Sequence, residues 1–337
     1  MKKLFVFLSL LFCIRGGAQT EVETWLSSYD PPLSEEKEII SSIQNLKGHL
    51  EILAADSFEG RCTATEGQKK AADYLASRME HYRLVQIAKD SNGELSWYQS
   101  WPFAKRFGDK KKYLSHSENV MGVLPATTPS DEYIVISAHY DHLGIIRDTI
   151  YNGADDNGTG TSSLLELIRL FSSYAPERDK NILFIFFSGE EKGLLGSKYF
   201  AENPVVPLEK IVCDLNIDMV GRADSTHQAD SNYVYVIGSN RISTTLDSLL
   251  QAANRVNPME LDYTYNDPKD PQRLYERSDH FNFAKHGIPV AFFFSGLHAD
   301  YHKSTDDIEK INFEVLYRRM MLVYRLTILV MNHEGTL

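Results

Sequence analysis

The sequence predicts an α/β fold, with a mostly parallel central sheet between helical layers in a three-layer α/β/α arrangement. Three observations lead there. Runs such as "YIVIS", "NILFIFF" and "PVAFFF" are apolar, β-rich and unbroken, the pattern of strands covered on both faces. They alternate with segments of helical periodicity, which implies parallel strands joined through helices. The 337 residues, 43% hydrophobic and 24% charged, suit a globular chain with one large core.

The elements follow in order. The opening "MKKLFVFLSLLFCIRGGAQT" has a basic start, an apolar run from Leu4 to Ile14 and small residues at Gly16, Gly17 and Ala18. That is the layout of a secretory signal peptide over residues 1–18, cleaved near Ala18 or Gln19, and too short to be a mature membrane span. Bulky Phe12 ahead of Cys13 argues against a lipoprotein anchor. From Ser34 to about Asp56 apolar residues recur at helical spacing, with Ser34 and an acidic first turn as the start signal. A second helix covers Glu66 to about Tyr82, and "SWYQSWPF" and "NVMGVLP" read as strands. Strand "EYIVISAH" then leads to helix "TSSLLELIRLFSSY", strand "NILFIFFSG" to helix "GLLGSKYFAEN", and strand "KIVCDLNIDMVG" to a polar stretch. Strand "NYVYVIG", helix "STTLDSLLQAANRV", strand "GIPVAFFFSG" and the closing helix "NFEVLYRRMMLVYRLTILVMN" complete the chain. The least regular piece, "YTYNDPKDPQRLYERSDHFNF", has the composition of a loop that caps or lines a cleft. With no repeat and no long linker, residues 19–337 read as one domain.

Charge and cysteine content narrow the function. The formal charge is −11, and losing Lys2, Lys3 and Arg15 with the leader takes it to −14, which argues against a nucleic-acid partner. No stretch after the leader is long and apolar enough to span a membrane. An exported protein, periplasmic or extracellular, is the expectation. Cys62 and Cys213 are the two cysteines beyond Cys13; export permits their pairing, but Cys213, in an apolar strand, reads as a buried thiol.

In open α/β sheets ligands bind beyond the carboxyl ends of the strands. Here "YIVISA" runs into His139, Tyr140, Asp141 and His142, and "NILFIFFSG" into Glu190 and Glu191. "IVCDLNI" runs into Asp218, and "PVAFFFSG" leads through a short loop to His298, Asp300 and His302. The loop "NGADDNGTG" adds Asp155 and Asp156 ahead of a helix. Each feature has an ordinary explanation: a hydrogen-bonded strand-end histidine, a turn and helix cap, an acidic pair at a helix start. Together those explanations leave at least three carboxylates converging at one sheet edge among neutral imidazoles. Such charges repel unless protonated or bridged by cations, so a metal centre is the simplest remedy. Oxygen and imidazole donors without thiolate suit zinc, and manganese or cobalt less specifically. Three carboxylates leave one divalent ion at net −1 but two ions at net +1, which a hydroxide neutralises. Two-metal hydrolytic sites hold their ions roughly 3.5–4 Å apart.

The chain resembles the M28 family of zinc aminopeptidases, co-catalytic two-zinc exopeptidases. The match runs from "LAADSFEGRCTATEGQKKAADYLA" through "NVMGVLP", "SAHYDHLG", "NGADDNGTG", "FFSGEEKGLLGS", "NIDMVG" and "SDHFNFAKHGIPVAFFFSG" to "DYHKSTDD". The resemblance implies the family's zinc-exopeptidase (phosphorylase/hydrolase-like) fold and two Zn2+ per chain. It implies that His139 and Asp218 bind one zinc, that Glu191 and His302 bind the other, and that Asp156 bridges them. His142 and His298 are then bystanders. Glu190 would be the general base, taking a proton from a metal-bridged water and passing it to the leaving amine. Asp141 would accept the other N–H of His139, and Tyr301 would be an extra oxyanion donor. The substrates would be peptides with a free N-terminus. Two features depart from the family. Some 35 residues separate "SWYQSW" from "SAHYDH", too few for the protease-associated domain that some secreted members insert there. Lys303-Ser304 also stands where many members have Thr-Pro.

The nearest alternative is a glutaminyl-peptide cyclotransferase, a single-zinc enzyme of the same fold. "GEEKGLLGS" running directly into the next helix favours the peptidases. A non-catalytic metal-binding scaffold would have no use for Glu190. A carboxypeptidase would want a basic group for the substrate carboxylate, for which Arg273 or Arg277 is available.

Overall fold

The structure is a computed structural model that describes residues 35–107, 110–174 and 177–337. The proposed leader, and Ser34 with it, lie outside the described residues. The first helix, α1, is Glu36–Leu53, with Glu35 at its N-cap and an acidic first turn of Glu36 and Glu38. Its inward stripe buries Leu46, Leu50 and Leu53 at the spacing of a single helix face. Helix α2 is Glu66–His81 and buries Ala71, Ala72, Leu75 and Met79 in the same way.

Eight strands form one sheet: β1 Tyr98–Phe107, β2 Lys110–Leu124, β3 Tyr133–His139, β4 Asn181–Phe187, β5 Ile211–Ile217, β6 Tyr233–Ile237, β7 Glu260–Asp262 and β8 Val290–Phe294. Their order across the sheet is β7-β6-β8-β5-β3-β4-β2-β1. The central pairs β8·β5, β5·β3 and β3·β4 are parallel, as is the edge pair β6·β7. The pairs β6·β8, β4·β2 and β2·β1 are antiparallel. β1 and β2 pair antiparallel from Tyr98 opposite Val120 to Phe107 opposite Lys110, so β2 begins well ahead of the expected "NVMGVLP". The three-residue edge strand β7 escaped the sequence reading, because so short a polar segment carries no periodicity.

Every residue of β4 is buried, as is every residue of β3 after Tyr133, which accounts for their unbroken apolar sequences. Helices α3 (Gly160–Tyr174), α5 (Thr244–Asn254) and α7 (Phe313–Met331) pack with α1 and α2 into the main core. Ser243 and Asn312 cap α5 and α7 through side-chain oxygens that accept the N–H of Leu246 and Val315. On the opposite face α4 (Leu195–Glu202) and the short α6 (His280–Ala284) contribute Phe200 and Phe283 to a second cluster with Phe187. Cys62 and Cys213 are free thiols, and burial raises the pKa of both. No helix among the described residues is long and apolar enough to cross a membrane.

His49 on α1 shows what this core costs a titratable group. It is 8% exposed, and its Nδ1 lies 2.6 Å from the Tyr74 hydroxyl. Burial, with help from Arg78 and Arg169, lowers its pKa to about 4. Between pH 6.5 and 4 the unfolded chain therefore binds a proton that the folded chain refuses. The stability is present above pH 6.5 and lost as pH falls, by about 3 kcal/mol at most. Urea denaturation of a His49→Gln variant should show a flatter decline over that interval than the parent protein.

Candidate metal centre

In the parallel block, β4 and β5 lie on opposite sides of β3, so their connections diverge and leave a crevice at the strands' carboxyl ends. His139 ends β3. Its Nε2 lies 3.3 Å from Asp218 Oδ1, 3.5 Å from Asp156 Oδ1 and 3.9 Å from Glu190 Oε2. His302 lies across from it, with Nε2 3.2 Å from Asp156 Oδ2 and 3.2 Å from Glu191 Oε2. Asp156 thus turns one carboxylate oxygen to each imidazole. All five side chains expected to hold metal meet in one cluster, with Glu190 beside them.

Sharp backbone turns present these groups. Gly153 has φ +57°, and a Cβ there would fall 2.2 Å from the Asp156 carbonyl oxygen and 2.4 Å from His142 Cγ, so only glycine fits ahead of Asp156. Glu190 and Glu191 share one 3-10 turn, Glu190–Lys192, which follows Gly189 in the left-handed region. That turn, rather than the first turn of α4, spreads the two carboxylates.

His142 differs from its expected role as a bystander. Fully buried, it places Nδ1 2.9 Å from Glu191 Oε1 and 3.8 Å from Asp156 Oδ2. His298 stays outside: its Nε2 faces Asp155 Oδ2 at 3.1 Å, while Asp155 Oδ1 accepts from Thr159 Oγ1 and the Gly221 N–H. The expected pairing of His139 with the Asp141 carboxylate also needs correction. His139 Nδ1 lies 3.1 Å from the Asp141 carbonyl oxygen and 3.8 Å from the carboxylate. The Asp141 carboxylate instead accepts from Thr63 Oγ1 at 2.6 Å and from the Glu190 N–H at 3.2 Å, fixing the turn that carries Glu190. Tyr301 stacks on the His302 ring, centroids 3.9 Å apart, and its hydroxyl accepts from Arg277 Nη2 at 3.0 Å.

Three further groups support the cluster. Ser278 Oγ donates to Asp218 Oδ2 at 2.8 Å, and Asn216 Nδ2 donates to Ser278 Oγ at 2.8 Å. The Asp306 carboxylate accepts the N–H groups of Asp155 and Asp156, and burial raises its pKa to about 6. Fully buried Arg61 donates to the carbonyls of Leu53, Tyr140, Asn152 and Gly153. Sequence reading gave none of these a role, because backbone carbonyls and distant N–H groups leave no mark in the sequence of their partners.

The electrostatics show a pocket short of positive charge. Burial opposes protonation of His139, yet Asp218 and Glu190 raise its pKa well above the ordinary value. Burial likewise opposes protonation of His302, but Asp156 and Glu191 raise it to about 10. Burial would raise Glu191, but His142 and His302 hold it below the usual carboxylate range. Glu190, where burial outweighs the attraction of His139, is raised. Asp156 Oδ2, Glu191 Oε1 and both nitrogens of His142 are buried without a hydrogen-bond partner. Orphaned oxygen and imidazole donors of this kind are what divalent cations satisfy, and two of the sets draw within 4.8 Å: His139, Glu190 and Asp218, and His142, Asp156 and Glu191.

Comparison with known proteins accords with this geometry. The sequence model described as Peptidase family M28 matches residues 119–327. The chain belongs to that family. Aminopeptidase YwaD of Bacillus subtilis (strain 168) is 31% identical over 215 residues, which are 61% of this chain and 43% of that protein. The chain therefore spans less than half the length of that relative. Among solved structures, the LapA aminopeptidase of Legionella pneumophila has a TM-score of 0.67 at 21% identity, covering 99% of this chain and 80% of that one. A glutaminyl cyclase of Porphyromonas gingivalis has a TM-score of 0.61 at 17% identity, covering 85% and 97%. At these identities both share the M28 fold seen here and nothing finer. Within the family match lie His139, Asp156, Glu190, Glu191, Asp218 and His302.

Proposed function

We propose that the chain is a zinc-dependent aminopeptidase, exported by its leader, that removes N-terminal residues from peptides. The observation that carries this reading is the Asp156 carboxylate, one oxygen toward His139 and the other toward His302, with Glu190 alongside. His139, Asp218 and Asp156 would hold one zinc, and Asp156, Glu191 and His302 the second, with His142 packed against Glu191. Bound zinc supplies Lewis-acid polarisation of the scissile carbonyl and a lowered pKa for attacking water.

The chain's own residues do the rest. Glu190 Oε2 accepts the proton of the attacking water and delivers it to the departing amine nitrogen. Asp141 holds Glu190 at its backbone N–H, which fixes where that proton is taken up. The Tyr301 hydroxyl, already accepting from Arg277, keeps its own proton for the oxyanion. Met219, Leu274, Phe292, Phe294 and Leu297 wall the cavity beside the cluster. The free α-amino group of the substrate is cationic and suits the acidic end of the crevice.

The assay is release from a panel of aminoacyl-anilides by purified protein. Activity is expected to disappear on chelation and return with zinc. Turnover of glutaminyl peptides to pyroglutamyl products, without anilide release, would instead establish the cyclotransferase.

A further inference from the structure

A third group of donors lies on the far edge of the sheet, away from the crevice. The i, i+2 spacing of Glu260 and Asp262 on β7 places both carboxylates on one sheet face, beside Tyr233 and Tyr235 of β6 in parallel register. His227 covers that face, stacked on the Tyr233 ring with centroids 3.6 Å apart, and is 9% exposed. Asp224 fixes its orientation. Asp224 Oδ1 accepts the N–H groups of Thr226 and His227 and lies 3.1 Å from His227 Nδ1, while Oδ2 accepts the Tyr235 hydroxyl at 2.8 Å.

Asp224 Oδ1 thus sits against Nδ1, and the Tyr235 hydroxyl lies 3.3 Å from the same nitrogen. Nε2 is the nitrogen left facing β7, 3.4 Å from Asp262 Oδ2. Ligand atoms of His227, Glu260 and Asp262 all lie within 4.8 Å of one another. Two carboxylate oxygens and an imidazole nitrogen gathered this closely form a donor set that a divalent cation would bridge. The arrangement of carboxylate, imidazole and open Nε2 is the one by which proteins orient a metal-binding histidine.

The geometry points to a separate divalent-cation site formed by His227, Glu260 and Asp262, oriented by Asp224. One imidazole and two carboxylates match zinc in donor type and neutralise its charge. The ion would fasten the 222–232 loop to edge strand β7, which among the described residues pairs only with β6. It would take no part in peptide hydrolysis.

The test uses the full-length holoenzyme dialysed to equilibrium against a zinc buffer, with zinc per chain read by atomic emission. The parent protein is expected to hold one zinc more than Asp262→Asn and one more than His227→Asn, with anilide turnover unchanged in both. Glu260→Gln, altered at an exposed position, serves as the variant least able to disturb folding, and should bind the extra ion more weakly. Equal zinc in all four proteins would overturn the site. A zinc deficit accompanied by a matching loss of turnover would overturn it too, by placing the lost ion in the crevice. Because zinc content is read independently of activity, the inference stands or falls apart from the proposed function.

Discussion

Glu190→Gln should retain the metal content of the parent protein and turn over about a thousandfold more slowly. The substitution keeps size and shape while removing the ability to accept a proton. In the structure Glu190 is held by its N–H to Asp141, its carboxylate is buried, and burial favours its neutral form against the pull of His139. A group poised in this way takes up a proton during reaction and gives it back, which an amide cannot do. The ligand set proposed for the metal, His139, Asp156, Glu191, Asp218 and His302, is untouched by the change. Zinc analysis and anilide turnover on one preparation decide the matter. Full activity in Glu190→Gln would reject the base. Loss of zinc together with activity would mean that Glu190 is a ligand, as its proximity to His139 and Asp218 permits. The neighbouring Glu191→Gln is the contrast, since it replaces a carboxylate whose Oε1 faces His142 and whose Oε2 faces His302.

The positions of these residues were legible because their chemistry coincides with a rule about sheets. His139, the Glu190–Glu191 pair and Asp218 each follow an apolar run, and strands end where such runs end. Convergence followed once those strands were taken as parallel neighbours. What the sequence did not disclose were relations that depend on backbone geometry. Asp141 stands two residues beyond His139, as a partner on the same side of an extended strand would, but the chain leaves β3 at His139 and the carboxylate swings to Thr63 and Glu190 instead. The same departure brings His142 back against Glu191. The 263–283 segment was read from composition alone as lining a cleft. It does so, through Leu274 and Arg277 in the cavity wall and Ser278 on Asp218. The donor on Asp218 had no signature, since a serine in a loop is usually only a turn residue.

Arg61 is the clearest case of a residue that only the fold explains, and replacing it should cost the protein about 4 kcal/mol of stability. Its guanidinium is 1% exposed, and no carboxylate lies in hydrogen-bonding contact with it among the described residues. Burial lowers its pKa to about 10, while Asp156, Asp141, Asp306 and Glu191 work in the other direction and keep it charged. It therefore does two things for the centre. It ties the Tyr140 carbonyl, next to His139, to those of Asn152 and Gly153, which lead into Asp156. It also sets a fixed positive charge behind a cluster of acids. Arg61→Met removes both, leaving four carbonyls in an apolar interior and the carboxylates without that balance. Arg61→Lys restores the charge but not the planar fork, because an ammonium cannot reach carbonyls spread over separate segments. Urea denaturation should place the methionine variant lowest and the lysine variant between it and the parent. If the loss were only of packing, the lysine variant would bind zinc as tightly as the parent. If Arg61 aligns the ligand-bearing loops, zinc affinity in Arg61→Lys falls about 10–100-fold, the scale on which groups behind metal ligands act.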